Sequence, residues 1–157
     1  MKSSKPRLSH YLKYSFLAIL LANLCACALN SFVKIQEDLE KNIQMYNTRF
    51  EGKMMDLSAV FVLNDRRAKF LIESQKVKDK ILFYDSSILD IQIFQDKTPI
   101  KVTSQGPEKD FNRAVVIMRY QLAVLPSNQL KTIVVKQLWV RDEERWVVVP
   151  DLRVFFQ

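Results

Sequence analysis

Apolar and polar positions change texture twice along the chain. Residues 1–13 (MKSSKPRLSHYLK) are polar and basic, and Tyr14–Leu29 (YSFLAILLANLCACAL) are almost wholly uncharged and apolar. From Phe32 the apolar positions become periodic. Phe32, Ile35, Leu39, Ile43, Tyr46 and Phe50 follow one another at spacings of 3, 4, 4, 3 and 4, which predicts one face of an amphipathic helix over Phe32–Phe50. Glu37, Asp38, Glu40, Lys41 and Asn42 take the other faces. Ser31 stands where a helix cap is needed, and Gly52 where a helix ends. The stripe stops at Phe50, so it predicts docking on a core and not a long zipper.

Lys53–Leu63 carries Met54, Leu57, Val60 and Phe61, again at helical spacing. Asn64 or Asp65 is placed to cap a further helix, Arg66–Gln75, with Ala68, Leu71 and Ile72 expected inward. Arg66, Arg67 and Lys69 crowd its first turn, where the helix dipole disfavours cations, and read as a solvated face.

After Lys80 the period becomes two. Leu89, Ile91 and Ile93 alternate with Asp90 and Gln92, predicting a strand over Ile88–Phe94. Lys101–Thr103 reads as a short partner beyond the Asp96–Pro99 turn, and Ser104–Asp110 as a polar loop centred on Gly106-Pro107. Phe111–Leu125, Leu130–Arg141 and Arg145–Phe156 are rich in Val, Ile and aromatics and read as long strands. Pro126–Gln129 and Asp142-Glu143 separate them, giving two hairpins. A two-residue turn at Asp142-Glu143 would set Trp139 opposite Trp146, and Pro150 points to an edge or a bulge. Helices first and an antiparallel meander second make the class α+β, in one domain.

The formal charge of +7 is unevenly placed. Lys2, Lys5, Arg7 and Lys13 account for four of the 24 basic residues, and no acid precedes Glu37; the other 20 face 17 acids, leaving +3. A basic n-region before a short apolar stretch is the layout of an export signal. Phe16–Leu29 spans about 14 residues, broken by Asn23, where a spanning helix needs about 20. An uncleaved N-terminal anchor is the alternative. A nearly balanced, exported domain is not a nucleic-acid binder, and Arg113, Arg119, Lys131 and Lys136 beside Tyr120 read as charge on an exposed sheet face.

The whole chain holds one His, His10, and two Cys, Cys25 and Cys27, all within its first 27 residues. The remainder therefore offers no Cys/His zinc site and no imidazole-based nucleophile system. Two glycines, Gly52 and Gly106, make no phosphate-cradling loop, and Asp142-Glu143-Glu144 lacks the spacing of a calcium loop. No motif calls for a metal or other cofactor. Carboxylates, Lys and Tyr are what remains for proton chemistry.

Leu24-Cys25-Ala26-Cys27 resembles the lipobox of bacterial lipoproteins, with Leu24 at −3 and Ala26 at −1 of Cys27. The resemblance implies that residues 1–26 are a cleaved signal, that the Cys27 thiol is acylated, and that residues 27–31 are a short tether to the domain. Ala28 stands where Asp commonly marks inner-membrane retention, so the resemblance implies outer-membrane sorting in a Gram-negative host. The helix Phe32–Phe50, the helical pair Asp56–Gln75 and the strands ending QLWVRDEERWVVV at Gln137–Val149 resemble the cystatin-like, nuclear-transport-factor-2-like superfamily. That resemblance implies helices packed on a curved antiparallel sheet, a cone-like cavity, and pairing of two copies through the sheet. Its enzymes commonly place Asp, His or Tyr in the cone; with no His in this domain, no catalytic residue is carried over.

The resulting expectation is a lipid-anchored envelope protein with a noncatalytic role, binding a small apolar ligand in the cone or a protein partner, a second copy included, on the sheet. The alternative is a pocket enzyme using Asp and Tyr. Tyr84, beside Asp85, and Asp90 are its candidates, and Trp139 and Trp146 complete the set of pocket or sheet-face residues.

Overall fold

The computed structural model describes residues 33–156. The signal segment, the tether, Cys27, Ser31 and Phe32 lie outside the described residues. Helix α1 occupies 33–51 and buries Leu39, Ile43, Tyr46 and Phe50 along the predicted stripe. Its end departs by one residue from the expected glycine stop. Lys53, at φ 59°, takes the left-handed position, with Lys53 N–H donating to Phe50 O (3.0 Å) and Met54 N–H to Arg49 O (2.9 Å). These are the two bonds of a Schellman cap.

Short helix α2 (Met55–Ala59) and long helix α3 (Asn64–Lys80) follow. Both bury a different face from the one expected. In α2 the inward residues are Met55, Ser58 and Ala59, while Met54, Leu57 and Val60 are exposed. In α3 they are Phe70, Ser74 and Val77, while Ile72 is 77% exposed. Each buried serine satisfies itself on its own helix, Ser58 Oγ donating to Met54 O and Ser74 Oγ to Leu71 O, both at 3.0 Å. A small hydroxyl thus takes a core position that an apolar count assigns elsewhere. The first-turn cations of α3 are not all solvated. Arg67 donates to Ala59 O (2.9 Å) and ties α3 to the end of α2.

One five-stranded antiparallel sheet follows, in the order β2-β1-β5-β6-β7, with a two-stranded β3-β4 ribbon beside it. Its strands are β1 (Ile81–Gln95), β2 (Thr98–Ile100), β5 (Arg113–Val124), β6 (Lys131–Asp142) and β7 (Arg145–Val149). The ribbon pairs β3 (Val102–Thr103) with β4 (Gly106–Pro107), so that the segment expected to partner β1 pairs with the expected loop, and Thr98–Ile100 partners β1 in its place. Strand β1 is twice the expected length and holds two register shifts against β5, so that Tyr84 and Leu89 each lack a partner. Such bulges re-aim the residues beyond them. Phe83, Ser86, Ile88 and Ile91 therefore pair with Leu122, Tyr120, Met118 and Val116 on the inner face, and Asp90 pairs with outward Ile117.

The last hairpin turns at Glu143-Glu144, one residue later than expected, with Glu143 at φ 55°. Trp139 consequently faces Val148, and Trp146 faces Arg141, in place of each other. Moving the turn by one residue moves the pairing by two and leaves every side chain on its own face, so alternation alone cannot choose between the registers. After Val149 the chain leaves the sheet. Pro150 ends the edge strand, and a 3-10 helix, Leu152–Phe156, replaces the expected strand end. The edge itself is covered: Leu63 N–H donates to Val148 O (3.0 Å) and Val148 N–H to Phe61 O (2.7 Å).

Between the helices and the sheet lies an aromatic core. Phe50 stacks on Tyr46 (5.7 Å between centroids) and meets Phe83 and Phe155 at 5.6 Å, and Tyr46 meets Trp139 edge-on at 5.8 Å. Phe155, delivered by the 3-10 helix, also packs on Tyr120. The space left beside Tyr46, Phe50, Tyr120 and Phe155 is about 20 Å³, room for one water and for no organic molecule.

Candidate functional site

With the interior filled, an open groove of about 630 Å³ lies between α1 and strands β1 and β5. That volume is in the range of small-molecule sites. Helix α1 supplies one wall through Glu37, Glu40, Gln44, Asn47 and Glu51, at spacings of 3, 4, 3 and 4. This is a polar strip running alongside the apolar one. The facing wall is Ser86, Ser87, Ile88 and Ile91 of β1, with Met118 of β5. The bulge at Leu89 makes this wall, because it turns both Ile88 and Ile91 toward α1.

Asn47 alone among the polar groove residues joins a polar network buried behind it. The Tyr120 hydroxyl donates to Asn47 Oδ1 (2.6 Å), and Gln137 Nε2 donates to the same oxygen (2.7 Å) and to the Tyr120 oxygen (3.0 Å). Asn47 Nδ2 donates to Ile43 O (2.9 Å), and Trp139 Nε1 donates to Gln137 Oε1 (3.2 Å). Every member has a partner, so the network is rigid and has no free donor or acceptor to offer a reaction. Burial pushes the Tyr120 phenol well above its ordinary range, with the nearby Tyr46 and Glu51 adding to the shift and Gln137 opposing it. It stays protonated.

Glu51 is the exception to this satisfaction. Its Oε1 is buried without a hydrogen-bond partner. Burial raises its carboxyl above the ordinary value, the Ser86 hydroxyl opposes the shift, and the Asp85 charge adds to it. No ion pair to Glu51 exists among the described residues.

The residues singled out from the sequence do not meet here. Tyr84 is 60% exposed at its bulge. Asp90 is exposed, accepts a bond from Gln92 Nε2 (2.9 Å) and pairs with outward Ile117. Trp139 and Trp146 are both buried, the second stacked on Phe111 at 5.4 Å. Asp85 forms an exposed ion pair with Arg119 (3.4 Å). Asn47, Glu51 and Gln137 escaped notice, although a signal existed for each. Asn47 and Glu51 belong to the 3-4-3-4 polar strip, and Gln137 holds an inward position between Val135 and Trp139.

Among the described residues no three acidic, Cys or His side chains gather as a metal site, and no helix is long and apolar enough to cross a membrane. Compared with protein-family models, with curated proteins and with solved structures, the chain matches none.

Proposed function

We propose that this chain is a noncatalytic binding protein of the cell envelope, lipid-anchored through Cys27, whose α+β domain takes a small ligand with an apolar part in the groove beside α1. The observation that carries this reading is the groove itself, with an apolar wall of Ile88, Ile91 and Met118 facing the polar side of α1. Support for a noncatalytic role comes from Tyr84 and Asp90, which stand outside the groove, and from Tyr120, whose hydroxyl is committed to Asn47. The filled core favours the groove over a deep cone as the site.

Full-length protein taken from its own membranes in mild detergent should carry a small molecule by native mass spectrometry. Ile88→Trp, at a position 45% exposed, should fill the groove and lose it. A bound molecule retained by that variant refutes the site. The anchor has a separate test. Cys27→Ala should abolish fatty-acid labelling and release the protein from membranes, and persistent labelling refutes the lipid reading.

A protein partner or second copy on the outer sheet face is the second reading, favoured by Val134, which is 59% exposed there opposite Arg119. Light scattering of the intact chain distinguishes it, since a concentration-independent monomer excludes the second copy.

A further inference from the structure

We propose that a second copy of this chain adds to the free edge of β1, antiparallel and about a two-fold axis at Ser87, joining two five-stranded sheets into one. This goes beyond the groove reading and does not depend on the groove's ligand. Strand β1 has 15 residues, and β5 runs along one side of it. On its other side β2 covers only Ile93, Phe94 and Gln95, and the Ile81 N–H is taken by Val77 O at the end of α3. Between these, Leu82–Gln92 has no strand partner on that side among the described residues and enters no other backbone hydrogen bond. The opposite edge of the sheet, β7, is sealed by Phe61 and Leu63.

A long open edge is a template for another strand, and edges that stay single are commonly short or carry Pro or Lys. Ile81–Gln95 contains no Pro, Lys or Arg. Its two bulges, at Tyr84 and Leu89, leave Asp85–Ile88 regular between them. Tyr84, Ile88 and Leu89 are large, exposed side chains along this edge.

Symmetry points to a second copy as the occupant. Opposite residues of an antiparallel pair share a face, so a two-fold axis must set one residue opposite itself. Ser87 is the centre of Leu82–Gln92, five residues from either end. With the axis there, each free edge is used along its whole length and pairing stops where β2 or α3 takes over. Ser86 then faces the partner's Ile88 on the groove side, and Ser87, outward beside Arg119, faces its own counterpart. Charge is complementary in this register. Counted from the axis, Asp85 comes opposite Leu89 and Asp90 opposite Tyr84, so no acid meets an acid and a phenol meets a carboxylate. Asp85 is already held by Arg119. Eleven facing residues supply about ten inter-strand hydrogen bonds, the number of a standard protein interface.

The test uses the full chain in its own membranes. Facing strands bring the two Ser87 Cα atoms to about 4.5–5.5 Å, within reach of a disulfide. On mild copper–phenanthroline oxidation, Ser87→Cys should give a reducible dimer several-fold above the unsubstituted chain, which accounts for Cys25 and Cys27. Thr98→Cys on β2 and Val134→Cys on the outer sheet face, both exposed, should stay at that background. A dimer at Val134→Cys and none at Ser87→Cys overturns edge pairing in favour of the sheet face. Equal dimer at all three positions overturns it as random collision, and a Ser87→Cys conjugate with a different protein overturns the second copy as occupant. A further measurement needs no substitution. In the full chain in mild detergent, the Leu82–Gln92 amides that point away from β5 should exchange hydrogen about tenfold or more slower than unpaired amides. Exchange at the unprotected rate overturns the proposal.

Discussion

Replacing Gln137 by Leu removes four bonds from the buried network, two with Asn47 and one each with Tyr120 and Trp139, and exposes how the network is shared. Asn47 and Tyr120 keep each other at 2.6 Å, and Asn47 Nδ2 keeps Ile43 O. Trp139 Nε1 loses its partner, in a side chain that is 0% exposed. One orphaned buried donor costs about 1–3 kcal/mol. Tyr120→Phe is milder. Asn47 Oδ1 retains Gln137 Nε2 at 2.7 Å, so no buried group is stranded, and the loss is that of one ordinary hydrogen bond, about 0.5–1.5 kcal/mol. In the double variant Asn47 Oδ1 loses both donors at once. Its stranding adds about 1 kcal/mol or more beyond the sum of the single effects, a coupling expected only of members of one network. Urea denaturation of the four proteins, followed by far-UV circular dichroism, measures all three differences. Additivity within about 0.3 kcal/mol, the scatter of independent sites, would refute the shared-acceptor reasoning.

Other expectations concern packing and pH. Phe70→Ala should cost about 3–5 kcal/mol and Ile72→Ala under about 0.5 kcal/mol, because α3 buries the first and exposes the second; equal costs in the same assay contradict the assigned face. For Glu51 the folded chain holds its proton more tightly than the unfolded chain, so this group lowers stability as pH rises through the ordinary carboxylate range, and the cost is constant above its folded value. Glu51→Gln should therefore raise the melting temperature at pH 7, with a gain that shrinks as pH falls through that range. A gain that grows toward acid pH reverses the assigned sign.

Much of the architecture is legible along the chain because helix and strand periods are local properties. The 3-4-4-3-4 stripe ending at Phe50 marks α1, and the Val- and Ile-rich runs mark β5 and β6, since each element must bury one face. Period counting failed where polar residues are inside. Ser58 and Ser74 bond to their own helices, which disguises the buried faces of α2 and α3. The groove was visible in part, as an acidic and amide strip from Glu37 to Glu51 beside the apolar stripe.

By itself, then, the order of residues determined the α+β class, the inward face of α1, and the absence of thiol and imidazole chemistry after residue 27. Tertiary structure decided what the strip faces. Bulges at Tyr84 and Leu89 re-phase β1, sending Asp90 outward and setting Ser86, Ile88 and Ile91 across from α1. A bulge is one unpaired residue, and its place is chosen by the pairing of β1 with β5, a long-range packing result that leaves no period in the local sequence. Likewise, Glu51 is an ordinary helix-surface acid until the sheet closes over its Oε1. Desolvation of that one oxygen exists only in the folded chain.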